Sequence, residues 1–351
     1  MENEEYDILR SSVREFISKE IEGKALDIEK KGITKEITGS LAAQGFLGSR
    51  FPENLGGSNL DMGAYSIILQ ETARVSPSLA VKILMLNSIA GEILKESEAK
   101  SIIPSLLSGQ EEIGVAFSEV LNGLHQEKLP VLKSGKIQGS RENVMNSGGK
   151  YLLTATEGDG NDLVLVKSGV NAMEIGHQLG FRGFRISQVN IDAGEYTKIC
   201  NDGSRRFSGI IDSLGIEVSA IALGISYGAV TKAVDYAKVR TTFQKPLKDY
   251  SPVASSLSDV MSEMEILQDY LERSTEMDAK HVMMLKNRSL DLMRRSTKLA
   301  LQVHGGYGYI QDFGVEKFYR DSMALSSLLV NGRRDSLKLS ELVFESPSGT
   351  I

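Results

Sequence analysis

The chain has 351 residues, enough for two or three domains and a large core, with ordinary apolar and charged fractions of 41% and 25%. A formal net charge of −6, with basic residues scattered rather than grouped, argues against a nucleic-acid surface. The single cysteine, Cys200, excludes an intramolecular disulfide framework, and His125, His177, His281 and His304 form no ligand-spaced pair for zinc.

The N-terminus, MENEEYDILR, is acidic and lacks the apolar segment of a signal peptide. No run approaches the roughly 18 apolar residues of a membrane span. The expected location is a reducing cytoplasm. Residues 1–112 read as helical. Leu9, Val13, Phe16, Ile17 and Ile21 make one apolar stripe at helical spacing. A second helix follows over 35–47, then a loop punctuated by Pro52, Gly56 and Gly57, then helices over 62–75 and 79–94. The last of these starts at Ser76-Pro77, with proline placed for a first turn, and is apolar on most sides.

From residue 113 the pattern changes to short strand-like runs over 113–117, 129–132, 151–154, 163–166 and 188–191. Gly and Asn/Asp clusters separate them, as at 157–161. This predicts a small antiparallel β domain over 113–212. The helical period returns near Ile211, with helices expected over 216–240, 252–280, 286–303 and 315–329. The second would run about 43 Å at roughly 1.5 Å per residue. Such lengths suggest a C-terminal four-helix bundle over 213–351.

Local motifs sharpen this frame. QVHGGYGY (302–309) places two adjacent glycines after a helix, where a backbone turns tightly and approaches a flat ligand. With LRSSVREF (9–16), AAQGFLGSRFPENLGG (42–57), VAFSE (115–119), LGFRGF (179–184), VRTTFQKPL (239–247) and VEKFYRD (315–321), it makes seven segments in one order. On these segments the chain resembles the acyl-CoA dehydrogenase family over residues 5 to 345.

The resemblance implies a multidomain α+β fold: an all-α N-terminal domain, a β-barrel-like middle domain and a C-terminal four-helix bundle. It implies FAD bound in an extended conformation between domains and a neighbouring subunit, in a homo-oligomer (dimer or tetramer). It further implies α,β-dehydrogenation of an acyl thioester carried on CoA or on an acyl-carrier protein. A carboxylate takes the α-proton, the β-hydrogen leaves as hydride, and electrons pass to an electron-transferring flavoprotein.

By the same resemblance Arg240 and Phe243 reach a neighbour's FAD, as do Gln302 and the Gly305-Gly306 backbone. A guanidinium fork suits pyrophosphate and an aromatic face suits adenine. Read alone, Arg240 is more simply a solvated helix-end cation and Phe243 a core residue. Phe117 and Ser118 match a strand carrying flavin contacts, with the Ser118 hydroxyl as hydrogen-bonding group.

The departures concern the flavin and the base. The family's second flavin strand reads aromatic–Ile–Thr–Asn–Gly. Here the equivalent is Val144-Met145-Asn146-Ser147-Gly148, so Val144 offers no ring while Asn146 offers an amide to a flavin carbonyl. At the C-terminal turn the family's catalytic Glu corresponds to Leu329 or Asn331, neither of them a base. Arg333 and Asp335 stand where FAD-touching residues are usual. A minority of the family carries its base at the start of the first bundle helix, and Glu217 falls there, seven residues before Gly224. Its apolar neighbours suit a carboxylate that acts once substrate has displaced water. The plain alternative is an ordinary first-turn acidic residue.

A second function class stays open: a non-catalytic partner subunit of a heteromer, or a flavin-dependent monooxygenase. Weaker features read as structure. His304 is expected as a packed ring, Asp259 and Glu263 as a solvated face, and Lys280, His281, Lys286 and Arg288 as a mildly basic junction. The segment 121–128 replaces a Gly/Ser-rich substrate loop.

Overall fold

The computed structural model describes residues 3–121, 128–158, 161–173 and 178–344. His125, His177 and most of the 121–128 segment lie outside them. By internal contact the chain divides into two compact units, one of Met1–Leu26, Met62–Ala80 and Gly215–Ile351, the other of Asp27–Asp61 and Val81–Leu214.

The first unit is helical. Asn3–Glu20 buries the stripe read from sequence, with Val13, Ile17 and Ile21 at 1–2% exposure, and leaves Ile8 outside. Met62–Ala73 crosses Gly215–Val239 closely: a Cβ at Gly224 or Gly228 would lie 2.3 Å from a carbonyl oxygen, of Gln70 or Arg74. Only glycine allows that approach. Gly215–Val239 runs parallel to Ala279–His304, since Gly215 abuts Val282 at one end and Tyr236 stacks on His304 at the other.

The expected helix over 252–280 is shorter. It ends as Ser251–Glu272, and Asp278 caps the next helix by accepting the His281 amide at 2.9 Å. That cap moves the start of the following helix from the expected Lys286 back to Ala279. Glu316–Leu328 follows, and then a further helix not read from sequence, Gly332–Phe344.

The second unit holds the strands: β1 (Ile113–Ala116), β2 (Val131–Lys133), β3 (Lys136–Met145), β4 (Tyr151–Ala155), β5 (Leu163–Val166), β6 (Val170–Ala172), β7 (Ile186–Ala193) and β8 (Tyr196–Cys200). Their order is β6-β7-β3-β1-β4-β5-β8, with β2 paired onto β3. The expected β-barrel-like domain is corrected here. β6 and β8 lie at the two ends of the path and do not pair among the described residues, so the sheet is open. Closure into a barrel requires every edge to be hydrogen-bonded.

The expected all-antiparallel order is also corrected. β1 and β4 run parallel, Ile113 facing Tyr151 and Ala116 facing Thr154, so the sheet is mixed. Its core gathers Ala116, Ile137, Val144, Leu152, Val164 and Val189, all at 3% exposure or less.

Pro77–Leu94 is an apolar helix of 18 residues that meets the composition of a membrane span, contrary to the reading from sequence, but 94% of it is buried within the fold. It is a core helix. A π-turn, Met85–Ala90, interrupts it. There Asn87 donates to the carbonyls of Phe46 and Ile83 and accepts the Arg50 amide.

Candidate functional site

In the helical unit, Gly215–Val239 ends one residue before Arg240, and a two-stranded hairpin follows, Thr241–Thr242 against Lys245–Pro246. Its central residues Phe243 and Gln244 have φ of +45° and +67°. Both therefore occupy the left-handed region usually left to Gly, Asn or Asp in such turns. The backbone conformation is costly, and what it achieves is to hold Phe243 outside the fold at 90% exposure. A hydrogen bond from the Leu247 amide to the Arg240 carbonyl, 2.8 Å, closes the loop.

Arg240 is exposed, and its guanidinium carbon lies 5.6 Å from the centre of the Tyr307 ring. Tyr307 packs on Phe313 at 4.9 Å between centroids. Beneath them Tyr236 and His304 stack at 4.4 Å, with Nδ1 of His304 donating to the Ala300 carbonyl at 2.8 Å. Burial lowers the His304 pKa below its usual 6.5, so the ring is neutral and structural near pH 7. Gly305 has φ of +56°, and a Cβ at Gly305 or Gly306 would meet nothing within 4 Å. Gln302 is exposed beside them. Arg240, Gln302 and the glycine pair thus share a surface with the Tyr307 and Phe313 rings. The sequence reading quoted Tyr307 within QVHGGYGY without giving it a part and passed over Phe313; their signal was the aromatic spacing after the glycines.

Glu217 lies in the first turn of Gly215–Val239 and is 4% exposed. Asn331, at the other candidate position, is the cap of Gly332–Phe344: its Oδ1 accepts the Arg334 amide at 3.1 Å and its carbonyl the Asp335 amide at 2.9 Å. Arg333 is exposed, whereas Asp335 is buried against Lys286, 2.8 Å from Nζ to Oδ2. Lys286 therefore leaves the solvated basic junction in which the sequence reading placed it.

In the sheet unit, β1 ends at Ala116, so Phe117 follows the strand and Ser118 opens a short helical turn. Phe117 is buried against Phe207, and Ser118 donates to the Glu142 carbonyl at 3.1 Å. One residue along on each side, Arg141 donates to Glu119. The β3 register shifts between Arg141 and Val144, with Asn143 at φ +49°. This bulge turns Val144 into the sheet core, opposite Ser187. Asn146, at φ +54°, donates from Nδ2 to the Ile113 carbonyl at 3.1 Å.

The exposed guanidinium, the outward Phe243 and the open glycine pair suit a pyrophosphate and an adenine. On the sheet unit, Asn146 spends one amide proton on Ile113 and retains the other.

Residues 3–110 match the family model described as acyl-CoA dehydrogenase, N-terminal domain, and residues 201–328 that of the C-terminal domain. The chain belongs to the acyl-CoA dehydrogenase family. It is 27% identical over 366 residues to the caffeyl-CoA reductase-Etf complex subunit CarC of Acetobacterium woodii, covering 91% of this chain and 93% of that protein. It is 25% identical to a 3-(aryl)acrylate reductase of Clostridium sporogenes over 353 residues, covering 91% of this chain and 93% of that one. Among solved structures, butyryl-CoA dehydrogenase from Megasphaera elsdenii superposes with a TM-score of 0.83 at 19% identity, covering 97% of this chain and 98% of that one. Membership carries an FAD-binding fold and an acyl-CoA dehydrogenase type of oxidoreductase activity.

Proposed function

We propose that this chain performs FAD-dependent oxidoreduction across the Cα–Cβ bond of an acyl thioester, with Glu217 as the carboxylate that takes the Cα proton. The supporting observation is a contrast between two positions. Glu217 is a carboxylate at 4% exposure in the first turn of a helix, while Asn331 is committed to capping another. An amide takes no proton at working pH, so the task falls to Glu217.

When bound, FAD supplies the acceptor for the Cβ hydride. Arg240 and Phe243 bind the pyrophosphate and adenine ends of that cofactor from a neighbouring copy, with Gln302 and the Gly305-Gly306 backbone completing the cradle. Phe117, Ser118 and Asn146 shape the wall for its ring. The enzyme is then a homo-oligomer, dimer or tetramer, of the cytoplasm. Its acyl group rides on CoA or on an acyl-carrier protein, and it exchanges electrons with an electron-transferring flavoprotein. The names of two relatives, both reductases and one a subunit of an Etf complex, favour turnover in the direction of reduction. In that direction Glu217 returns the proton to Cα.

A second reading is a partner subunit without its own turnover. It draws on the internal engagement of Ser118 and on Val144 facing the core. One series of measurements separates the two. The purified protein is expected to be yellow, or to become so with FAD, and to bleach anaerobically with a reactive acyl-CoA. Glu217→Gln should slow bleaching by about 10² to 10⁴. Equal rates would remove Glu217 as the base. A protein that stays colourless with FAD would favour the second reading.

A further inference from the structure

Lys82 is the cation of an otherwise apolar helical segment, Pro77–Leu84, and is only 6% exposed. A lysine so placed needs a partner, because an ammonium loses its hydration on burial. The partner is Glu112, 30 residues away, at the foot of β1. What Glu112 adjoins gives the pair its interest. The Glu112 carbonyl accepts the Tyr151 amide at 3.2 Å, which seats the start of β4. The next carbonyl, of Ile113, accepts the side-chain amide of Asn146 at 3.1 Å.

Asn146 sits at φ +54°, in the left-handed region that asparagine enters more readily than most residues. Gly149 donates to the Asn146 carbonyl at 3.0 Å and lies so close to β1 that a Cβ there would be 2.8 Å from the Gly114 nitrogen. The corner 146–149 is therefore folded onto β1. Lys82, Glu112, Ile113 and Asn146 also line one cavity of about 20 Å³, room for a single water. Thr38, on the same cavity, is 2% exposed, and its hydroxyl has no hydrogen-bond partner.

We propose that Lys82 is a positioning residue for Asn146, acting through Glu112 and the Ile113 carbonyl. Neutralising Lys82 frees the foot of β1, and with it the acceptor that fixes the Asn146 amide. The consequence for the cofactor rests on the reading of Asn146 as a flavin contact.

The first test is hydrogen–deuterium exchange on the full-length protein. Lys82→Met should raise exchange of amides 144–151 by about tenfold, leave β5 and β8 unchanged, and be rescued by Lys82→Arg. Should Lys82→Met fail to fold, Glu112→Gln carries the same expectation. Unchanged exchange at 144–151 overturns the proposal. The second test is a cycle of FAD titrations. Lys82→Met should weaken FAD binding about three- to tenfold when Asn146 is present and have no further effect on Asn146→Ala. Equal losses in both backgrounds overturn the proposal. If Asn146→Ala itself binds FAD like the parent, the reading of Asn146 fails, and the exchange result alone decides the role of Lys82.

Discussion

Asp335 is the buried residue of the terminal helix, and its carboxylate meets Nζ of Lys286, itself 3% exposed, at 2.8 Å. A buried ion pair and the Asn331 cap thus anchor a helix of 13 residues whose Leu337 and Phe344 point outward. Removing one member of a buried pair strands the other charge, at a cost of about 3–5 kcal/mol, whereas replacing both with apolar groups is often neutral. Lys286→Met and Asp335→Leu should each destabilise strongly in chemical denaturation. The double variant should recover most of the loss. If the two single losses simply add, the pair is not what holds the helix.

Phe243 and Arg240 make the opposite case. Phe243 is 90% exposed, so Phe243→Ala removes almost no packing and should leave thermal stability of the apoprotein unchanged. FAD affinity should fall by an amount typical of a lost aromatic stack, about 1–3 kcal/mol. Arg240→Lys keeps the charge but loses the planar fork and should also weaken FAD. Parental FAD binding in both variants would take the hairpin out of the cofactor site.

His304 predicts an acid limb in the stability profile. Its folded pKa lies below the unfolded 6.5 because burial disfavours the cation. Above 6.5 the ring is neutral in both states and the stabilisation is intact. As pH falls through that value toward the folded pKa, the unfolded state binds the proton first and stability is lost. His304→Phe keeps a ring against Tyr236 without the titration. Denaturation between pH 7.5 and 5 should show the parent losing more than the variant, and parallel curves would contradict this.

Much of the helical order was legible, because Val13, Ile17 and Ile21 repeat with the helix period and are buried as a stripe. The break near Asp278 was not, since a cap is a local competition between one side chain and the helix before it. Most of β3 was missed for a different reason, only its end at Val144-Met145 being matched through the resemblance. Its sequence KIQGSRENVM is mostly polar and outward-facing, so no alternation marks it. The barrel expectation came from the resemblance and failed because β6 and β8, at the two ends of the sheet, do not pair among the described residues.

Site residues divide along the same line. Gly305 and Gly306 were readable from a local motif. The engagement of Ser118 with Glu142, and of Lys82 with Glu112, joins segments distant in sequence, and no spacing rule announces it.

The length of Gly215–Val239 bears on how many molecules make one active centre. Glu217 stands in its first turn and Arg240 just past its last, so at roughly 1.5 Å per residue they are on the order of 35 Å apart. Under the proposed assignment, the carboxylate that serves one substrate and the guanidinium that grips its cofactor belong to different polypeptides. Each chain alone would hold two incomplete halves, facing opposite ways along one helix.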